Sequence, residues 1–183
     1  SYRGFAGEAM AMGERTPVAL LNPAASGRLA VGEALTNLAS TAVPSLDRVV
    51  LSANWMCACG EPGEDAALFE TVRAVAMELC PALGICIPVG KDSLSMRAVW
   101  TDQEGKTHRM TAPLSLLISA FGPVDDARLT LTPYLAPRPD TSLILLDLGR
   151  KSHRMGGSVL CHVFQRPGGP PADLDTPADL VAF

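Results

Sequence analysis

The sequence predicts an α+β fold in which helices pack on a sheet with much antiparallel pairing. Two long segments have the apolar spacing of amphipathic helices, and several short β-branched segments bounded by Gly and Pro indicate strands. Some of these strands follow one another with no helix between them, which disfavours a doubly wound parallel sheet. Hydrophobic residues make up 48% of the 183 residues, which is enough to bury a core and excludes a disordered chain.

Two helices are predicted from caps and breakers as well as from spacing. Asn22 suits an N-cap and Pro23 suits the first helical position, so the first helix is expected from residue 24 to about 41, before Pro44. A second helix is expected from 64 to about 80, where a proline and then a glycine follow.

The predicted strands are short apolar or β-branched segments between these helices and after them. A turn at 102–105 leads into a short return strand, which indicates a β-hairpin. In chain order the predicted strands lie at 48–55, 85–89, 95–101, 107–110 and 114–121.

A proline-rich stretch divides the chain. Four prolines fall within 122–140, which is typical of a domain linker. We therefore expect a first domain at 1–122, a linker at 123–140 and the truncated start of a second domain at 141–183.

The second unit is expected to contain one strand and two helices. The strand is predicted at 142–148, and the turn at 156–158 leads into a short helix that ends near Phe164. Thr176 is the expected N-cap of a last helix of about two turns, and a helix that short persists only if something packs on it. We therefore expect this chain to be a piece of a longer polypeptide.

Charge, hydropathy and cysteine content exclude several classes of partner. The formal charge is −4 without a basic tract, so neither nucleic acid nor an anionic membrane surface is expected as a partner. The longest nearly apolar stretch, 113–121, is shorter than the roughly 20 residues that span a bilayer. Five irregularly spaced cysteines are typical of reduced thiols, which predicts a cytoplasmic protein.

One pair of side chains on the first helix can ligate a metal. Glu33 and Asn37 lie four residues apart, so both project from one face of the helix. Carboxylate and amide oxygens, with water and phosphate, are ligands that Mg²⁺ prefers. From the spacing alone, an ordinary solvated helix face is the more economical interpretation.

A second candidate is the segment Gly90, Lys91, Asp92 and Ser93, which we expect to be a loop joining two strands. Glycine permits close backbone approach, lysine offers a charge for phosphate, and the two oxygen-bearing side chains can bind a metal or donate a proton. The spacing of a P-loop is absent. A ligand-binding loop and an ordinary hairpin explain the segment equally well.

The remaining candidates favour structural roles. Cys57 and Cys59 form a C-x-C pair without the spacing of redox or zinc motifs, which favours two core or loop thiols. The three histidines are scattered along the chain and no nucleophile is positioned near them in sequence, which favours packing or surface roles. The turn at 156–158 fits an anion site or a simple entry into a helix equally well.

Six strings of residues carry a resemblance to one family: 7–17, 28–37, 51–56, 63–66, 79–84 and 88–96. They are similar to the synthetase region of the large, single-chain phosphoribosylformylglycinamidine synthases, the formylglycinamide ribonucleotide amidotransferases of purine biosynthesis. The resemblance extends from residue 1 to about 164.

The resemblance implies a fold and an activity. The fold is that of the N-terminal domain of aminoimidazole ribonucleotide synthetase, here from the second half of the synthetase, plus the start of the C-terminal domain. The parent enzyme converts formylglycinamide ribonucleotide, ATP and glutamine-derived ammonia to the amidine. Its glutaminase domain, whose Cys-His-Glu triad is absent here, and the rest of the synthetase chain are the implied partners.

The resemblance also implies roles for residues. Glu33 and Asn37 become magnesium ligands at an ATP or ADP site that is auxiliary rather than the site of turnover, with aspartate ligands outside this chain. The segment Gly90 to Ser93 lies where related enzymes gather phosphate or substrate groups. No histidine of this chain inherits a catalytic role, so the piece alone is expected to be inactive.

Three functional hypotheses follow. The first is the fragment of an ATP-dependent ligase, with Mg²⁺ and ATP or ADP as cofactors. The second is a non-catalytic nucleotide-binding or assembly module, for which a homodimer of the piece is one form. The third is a redox protein that uses Cys57 and Cys59.

Overall fold

The structure is a computed structural model that describes residues 3–166, 168–175 and 177–183. Among the described residues the helices alternate with strands in the first two thirds, and irregular structure dominates thereafter. The helices are Thr16–Ala19 (α1), Pro23–Leu38 (α2), Glu64–Val72 (α3), Cys80–Leu83 (α4), Val159–Val163 (α5) and Pro177–Ala182 (α6). The strands are Gly7–Glu14 (β1), Val50–Met56 (β2), Cys86–Ser93 (β3), Arg97–Thr101 (β4), Thr107–Thr111 (β5) and Ser115–Val124 (β6).

Helix α2 is the central helix of the fold. The side chain of Asn22 accepts a hydrogen bond from the Ala25 N–H at 2.9 Å, and Pro23 occupies the first turn. Both features confirm the predicted start. The helix ends at Leu38, three residues before the expected end. It packs on β1 and β6 with one face and against α3 with another, because its buried positions are mostly small or aliphatic.

The second predicted helix is confirmed at its start, but it continues beyond the expected end at residue 80. Seven residues of π-type turns, Arg73–Leu79, connect α3 to α4. Pro81 lies in the first turn of α4, where the missing N–H costs little, and the helical segment ends at the left-handed Gly84 (φ +68°).

The sheet is mixed, with strand order β1-β6-β2-β3. Strand β6 is antiparallel to both β1 and β2, whereas β2 and β3 are parallel. Strands β4 and β5 form a separate two-stranded hairpin, as predicted. The core lies between one face of the sheet and the helices, which confirms the α+β class with a mixed sheet and packed helices. Its central strand residues are Leu51, Ala53, Leu116, Ile118 and Ala120.

Two strand predictions need correction. The segment 142–148 is not a strand: its leucines and isoleucine are mostly exposed, and apolar composition alone does not make a strand without a neighbouring strand to bond to. Strand β3 runs four residues beyond its predicted end at Val89 and includes Gly90 to Ser93, because pairing with β2 continues to Ser93. In addition, β6 extends to Val124 and so takes in the first two residues of the predicted linker.

The face of the sheet opposite α2, which we term the outer face, is uncovered among the described residues. Met10 and Met12 of β1 are 65% and 53% exposed, and Val89 of β3 is 62% exposed. Phe121 lies opposite Met10 in the β1–β6 register and is also exposed. The strands therefore bury one face and present a partly apolar face to the surroundings.

The C-terminal segment folds back on the core. Leu174 and Leu180 are 7% and 6% exposed and belong to the core cluster. Helix α6 packs beside α4, so the packing that a two-turn helix needs comes from within this chain. The predicted cap Thr176 lies outside the described residues. No helix in the described part of the chain has both the length and the apolar character to cross a membrane.

Candidate functional site

A cavity of about 370 Å³ lies between α2 and the folded-back C-terminal segment. Glu33 and Asn37 line it, together with Arg15 and residues of the two C-terminal stretches 148–154 and 172–174. The spacing predicted that the two side chains share one face of the helix, and both lie on one wall of this cavity. The opposite wall comes from residues more than 100 positions later in the chain, which no local pattern indicated.

Close packing of β1 on α2 positions Glu33. A Cβ atom on Gly13 would lie 2.1 Å from the Ala30 carbonyl oxygen and 2.4 Å from the Ala34 nitrogen, so only glycine allows the strand to come this near the helix. As a result the Glu14 N–H donates to Glu33 Oε2 at 2.8 Å. Arg15, the next residue, places Nη2 3.2 Å from Glu33 Oε1.

Asn37 lies one helical turn after Glu33 and also reaches β1. Its Nδ2 donates to the Met12 carbonyl oxygen at 2.9 Å. Because the amide nitrogen has this partner, the amide oxygen is the atom that Asn37 offers to a ligand. The two predicted side chains are thus oriented by contacts to Met12 and Glu14, two residues of one strand.

The opposite wall is attached to α2 by one ion pair and one apolar contact. Arg28 donates from Nε and Nη2 to the two carboxylate oxygens of Asp173, at 2.8 and 2.6 Å, and the hydrogen bond to Asp173 raises the pKa of Arg28. Leu174 lies over Gly32, where an added Cβ atom would be 2.6 Å from Leu174 Cδ1. A glycine on the helix thereby makes room for the leucine that closes the cavity.

Arg154 joins the two C-terminal stretches that form this wall. Its Nη2 donates to Asp175 at 2.8 Å and to the Asp173 carbonyl oxygen at 3.1 Å. The hydrogen bond from Arg154 lowers the pKa of Asp175. The charges of this wall are therefore largely satisfied within the protein.

The oxygen donors fit part of a magnesium shell. Within the described residues no three His, Cys, Asp or Glu side chains come together as a metal site, so Glu33 and Asn37 would supply two ligands and water or phosphate oxygens the others. The Glu33 carboxylate already has a cation beside it, the Arg15 guanidinium. That contact neutralises the carboxylate within the protein.

The segment Gly90 to Ser93 is part of β3 rather than a loop between strands. Gly90 is required there, because a Cβ atom would lie 2.4 Å from the Ala53 carbonyl oxygen on β2. Lys91 Nζ donates to Ser93 Oγ at 2.8 Å, and Lys91 and Asp92 are exposed. None of the four is among the described residues that line the α2 cavity, so the structure keeps the two predicted sites apart.

The cysteine pair has the properties of core thiols. Cys57 is fully buried, and its Sγ lies 3.4 Å from the Glu64 carbonyl oxygen. Burial raises the pKa of Cys57 to about 12, so the thiol is protonated at neutral pH and is a poor nucleophile. All five cysteines are free. These observations weigh against the redox hypothesis.

His108 and the glycine-rich turn also have structural partners. His108 Nε2 lies 2.6 Å from Asp102 Oδ2, and its ring stacks on Trp100 with centroids 5.3 Å apart, so it stabilises the hairpin. At the glycine-rich turn, a Cβ atom on Gly156 would be 2.3 Å from the Gly169 carbonyl oxygen. Ser158 caps α5 by accepting from the Cys161 N–H at 3.3 Å. Both contacts favour the turn into a helix.

Comparison with known proteins gives a family and a fold. The family described as FGAR-AT PurM_N-like domain matches residues 1–123. The crystal structure of phosphoribosylformylglycinamidine synthase II from Thermotoga maritima matches with 20% identity and a TM-score of 0.52, over 73% of this chain and 20% of that one. At this identity the likeness concerns the fold.

Two further matches are more distant. T. maritima PurL complexed with ATP matches with 21% identity and a TM-score of 0.48, over 67% of this chain and 19% of that one. The hydrogenase maturation protein HypE in complex with ATP matches with 15% identity and a TM-score of 0.42, over 67% of this chain and 31% of that one. The chain spans about a fifth of the two T. maritima structures.

Proposed function

Because residues 1–123 match that description, the chain belongs to the family of FGAR-AT PurM_N-like domains, and we propose that it is a fragment of a formylglycinamide ribonucleotide amidotransferase. The parent is an ATP-dependent ligase of purine biosynthesis that converts formylglycinamide ribonucleotide, ATP and glutamine to the amidine. In this proposal the fragment comes from the second half of a large single-chain synthetase and acts in the cytoplasm. Its five free cysteines support a reducing environment.

The chain's own contribution is part of a Mg-nucleotide site in the α2 cavity. The observation that carries this proposal is the shared orientation of Glu33 and Asn37, which both line the cavity and are both tied to β1. Glu33 would hold Mg²⁺ through its carboxylate and Asn37 through its amide oxygen, and the bound ion would neutralise phosphate charge of ADP or ATP. The resemblance implies that this nucleotide site is auxiliary rather than the site of turnover, and in this proposal residues outside this chain complete the metal shell.

The rest of the synthetase, including its glutaminase domain, is the proposed partner. The uncovered outer face of the sheet supports a covering partner, because exposed apolar residues of neighbouring strands form a continuous surface there. The exposed stretch Leu143 to Leu146, which is 56–90% exposed, fits a strand of the second domain that lacks its neighbours. We propose a first domain at 1–122, a linker at 123–140 and the start of a second domain at 141–183, whose residues Leu174 and Leu180 pack on the core of the first. A homodimer through the outer face is the alternative arrangement.

The edge strand β3 is proposed to contact a phosphate or substrate group. Lys91 and Asp92 are exposed at the end of an edge strand, so a phosphate or substrate group can reach them from outside the sheet. The Lys91–Ser93 hydrogen bond orients the ammonium. A phosphate contact at Lys91 would be separate from the nucleotide site of the α2 cavity.

Isothermal titration with Mg-ADP tests the nucleotide site. Glu33→Gln and Asn37→Ala should each weaken binding, Glu33→Gln by at least about 10-fold because it removes a charged ligand. Glu70→Gln is the matched control, since Glu70 is an exposed carboxylate on α3 outside the cavity lining. Binding that ignores both cavity substitutions, or no binding at all, would rule out the assignment.

The second candidate function is a non-catalytic nucleotide-binding or assembly module. The contact between Arg15 and Glu33 favours it, because a carboxylate with an internal counter-ion needs no metal to keep the fold intact. Both candidates predict that the isolated chain forms no amidine from formylglycinamide ribonucleotide, ammonia and ATP. Adding the remaining synthetase segments as separate chains distinguishes them. Restored amidine synthesis supports the ligase fragment, whereas complex formation without activity supports the assembly module.

A further inference from the structure

Both oxygens of the Glu33 carboxylate are already in use. Oε2 accepts from the Glu14 N–H at 2.8 Å, and Oε1 lies 3.2 Å from Arg15 Nη2. Arg15 also lines the cavity. The Arg15 guanidinium therefore lies beside the carboxylate that would hold the proposed metal, and the positive charges of the two groups would repel each other there.

Hydrogen bonds hold the backbone of Arg15 in place, whereas its side chain is partly exposed. The Arg15 carbonyl oxygen accepts from the Val18 N–H at 3.0 Å and from Ser26 Oγ at 2.7 Å. The side chain, by contrast, is 46% exposed. Rotation about side-chain bonds can therefore remove the guanidinium from Glu33 without movement of β1 or α2.

The other arginine of the lining is less available. Arg154 is 22% exposed and is held by Asp175 and by the Asp173 carbonyl oxygen. The partner of Arg15, in contrast, is Glu33, which is also the proposed metal ligand. The released guanidinium can then contact a phosphate of the nucleotide, because phosphate is anionic and is a good hydrogen-bond acceptor for arginine.

We propose that Arg15 is an exchangeable counter-ion: it neutralises Glu33 when the site is empty, and on Mg-ADP binding it releases the carboxylate to the metal and contacts a phosphate of the nucleotide. This inference rests on the proposed function. Arg15 would then lower the affinity for the free metal, because it competes for Glu33. It would raise the affinity for the metal–nucleotide complex, because it contacts a phosphate.

Two binding measurements on the intact 183-residue chain separate these effects. Electron paramagnetic resonance titration with Mn²⁺ alone reports the metal competition, and calorimetry with Mg-ADP reports the phosphate contact. The variants are Arg15→Gln and, as a matched control, Arg48→Gln, which removes the same charge from an exposed position outside the cavity lining. Circular dichroism of both variants checks that the fold is kept.

Relative to Arg48→Gln, we expect Arg15→Gln to bind Mn²⁺ about 2- to 5-fold more tightly, the range that loss of an exposed ion pair permits. The same variant should bind Mg-ADP at least about 10-fold more weakly, because a charged hydrogen bond to phosphate is lost. Arg15→Lys should recover part of the Mg-ADP affinity, since it keeps the charge without the forked geometry.

Unchanged binding of both ligands in Arg15→Gln would overturn the inference and leave the nucleotide site intact. Weakening of Mn²⁺ and Mg-ADP to the same extent would also overturn it, because Arg15 would then only position Glu33. If the unsubstituted chain binds neither ligand, or if Glu33→Gln changes neither affinity, the proposed function itself fails and the inference with it.

Discussion

The contact between β1 and α2 that positions Glu33 depends on the absence of a side chain at Gly13. In Gly13→Ala the new methyl group would overlap two backbone atoms, the Ala30 oxygen at 2.1 Å and the Ala34 nitrogen at 2.4 Å. Backbone atoms in the middle of a helix cannot rotate away, so the strand must move outward. The hydrogen bond from the Glu14 N–H to Glu33 is the first contact that this movement lengthens.

The expected cost follows from three contributions. Overpacking of a core costs about 1–3 kcal/mol, and we expect the upper end because the overlap is with backbone. Loss of the Glu14–Glu33 hydrogen bond adds about 0.5–1 kcal/mol. The lower conformational entropy of alanine in the unfolded chain returns about 0.5–1 kcal/mol. The net destabilisation is about 3 kcal/mol, which corresponds to a decrease in Tm of about 6–12 °C for a chain of this size.

Urea unfolding followed by circular dichroism measures this difference. The matched control is Gly7→Ala on the same strand, where an added Cβ atom has nothing within 4 Å, so its stability should stay within about 0.5 kcal/mol of the parent. Gly13→Ala should also lose affinity for Mg-ADP, whereas Gly7→Ala should not. Equal stability of the two alanine variants would refute the argument that close strand–helix approach builds the site.

Two other predictions concern titratable groups. The pKa of Asp102 is lowered by its hydrogen bond to His108 and by backbone N–H groups, so its stabilising effect is present above the unfolded pKa of about 3.9 and is lost as the pH falls through the lower folded value. Urea unfolding should show the parent chain more stable than Asp102→Asn at about pH 6, with the difference vanishing near pH 2; a constant difference would contradict this. Because burial raises the pKa of Cys57 to about 12 while Cys86 is exposed, iodoacetamide at neutral pH should label Cys86 well before Cys57, and mass spectrometry that finds the reverse order would count against the buried thiol.

Local signals in the sequence predicted the helices well and the strands unevenly. Asn22 and Pro23 define the start of α2 through contacts within a few residues, so the prediction of that helix start was accurate. Strand β1 was not predicted, because its inward-facing positions are small residues such as Ala9 and Gly13, which carry little hydrophobic signal. The predicted end of β3 was wrong, because the polar, exposed residues 90–93 become part of a strand only by pairing with β2.

Only part of the candidate site could be predicted from the sequence, because local spacing shows contacts between neighbours in the chain and not contacts between distant residues. Glu33 and Asn37 are four residues apart on one helix, and helical geometry alone places them together. Arg15 reaches Glu33 across a strand–helix contact, and Leu174 reaches Gly32 from a segment that reads as an irregular loop. Neither contact has a signature in the spacing of nearby residues.

The α+β class, the capped central helix and, through the resemblance, the family to which the first 123 residues belong could all be predicted from the amino-acid sequence. The folded structure was needed to show that Glu33 has an internal counter-ion, that the C-terminal segment forms one wall of the cavity, and that Gly90 to Ser93 belong to a strand. Helix caps and helix faces depend on neighbours a few residues away, which a sequence displays directly. Strand pairing, ion pairs and cavity walls join residues that are distant in the chain, and they form only when the whole core is packed.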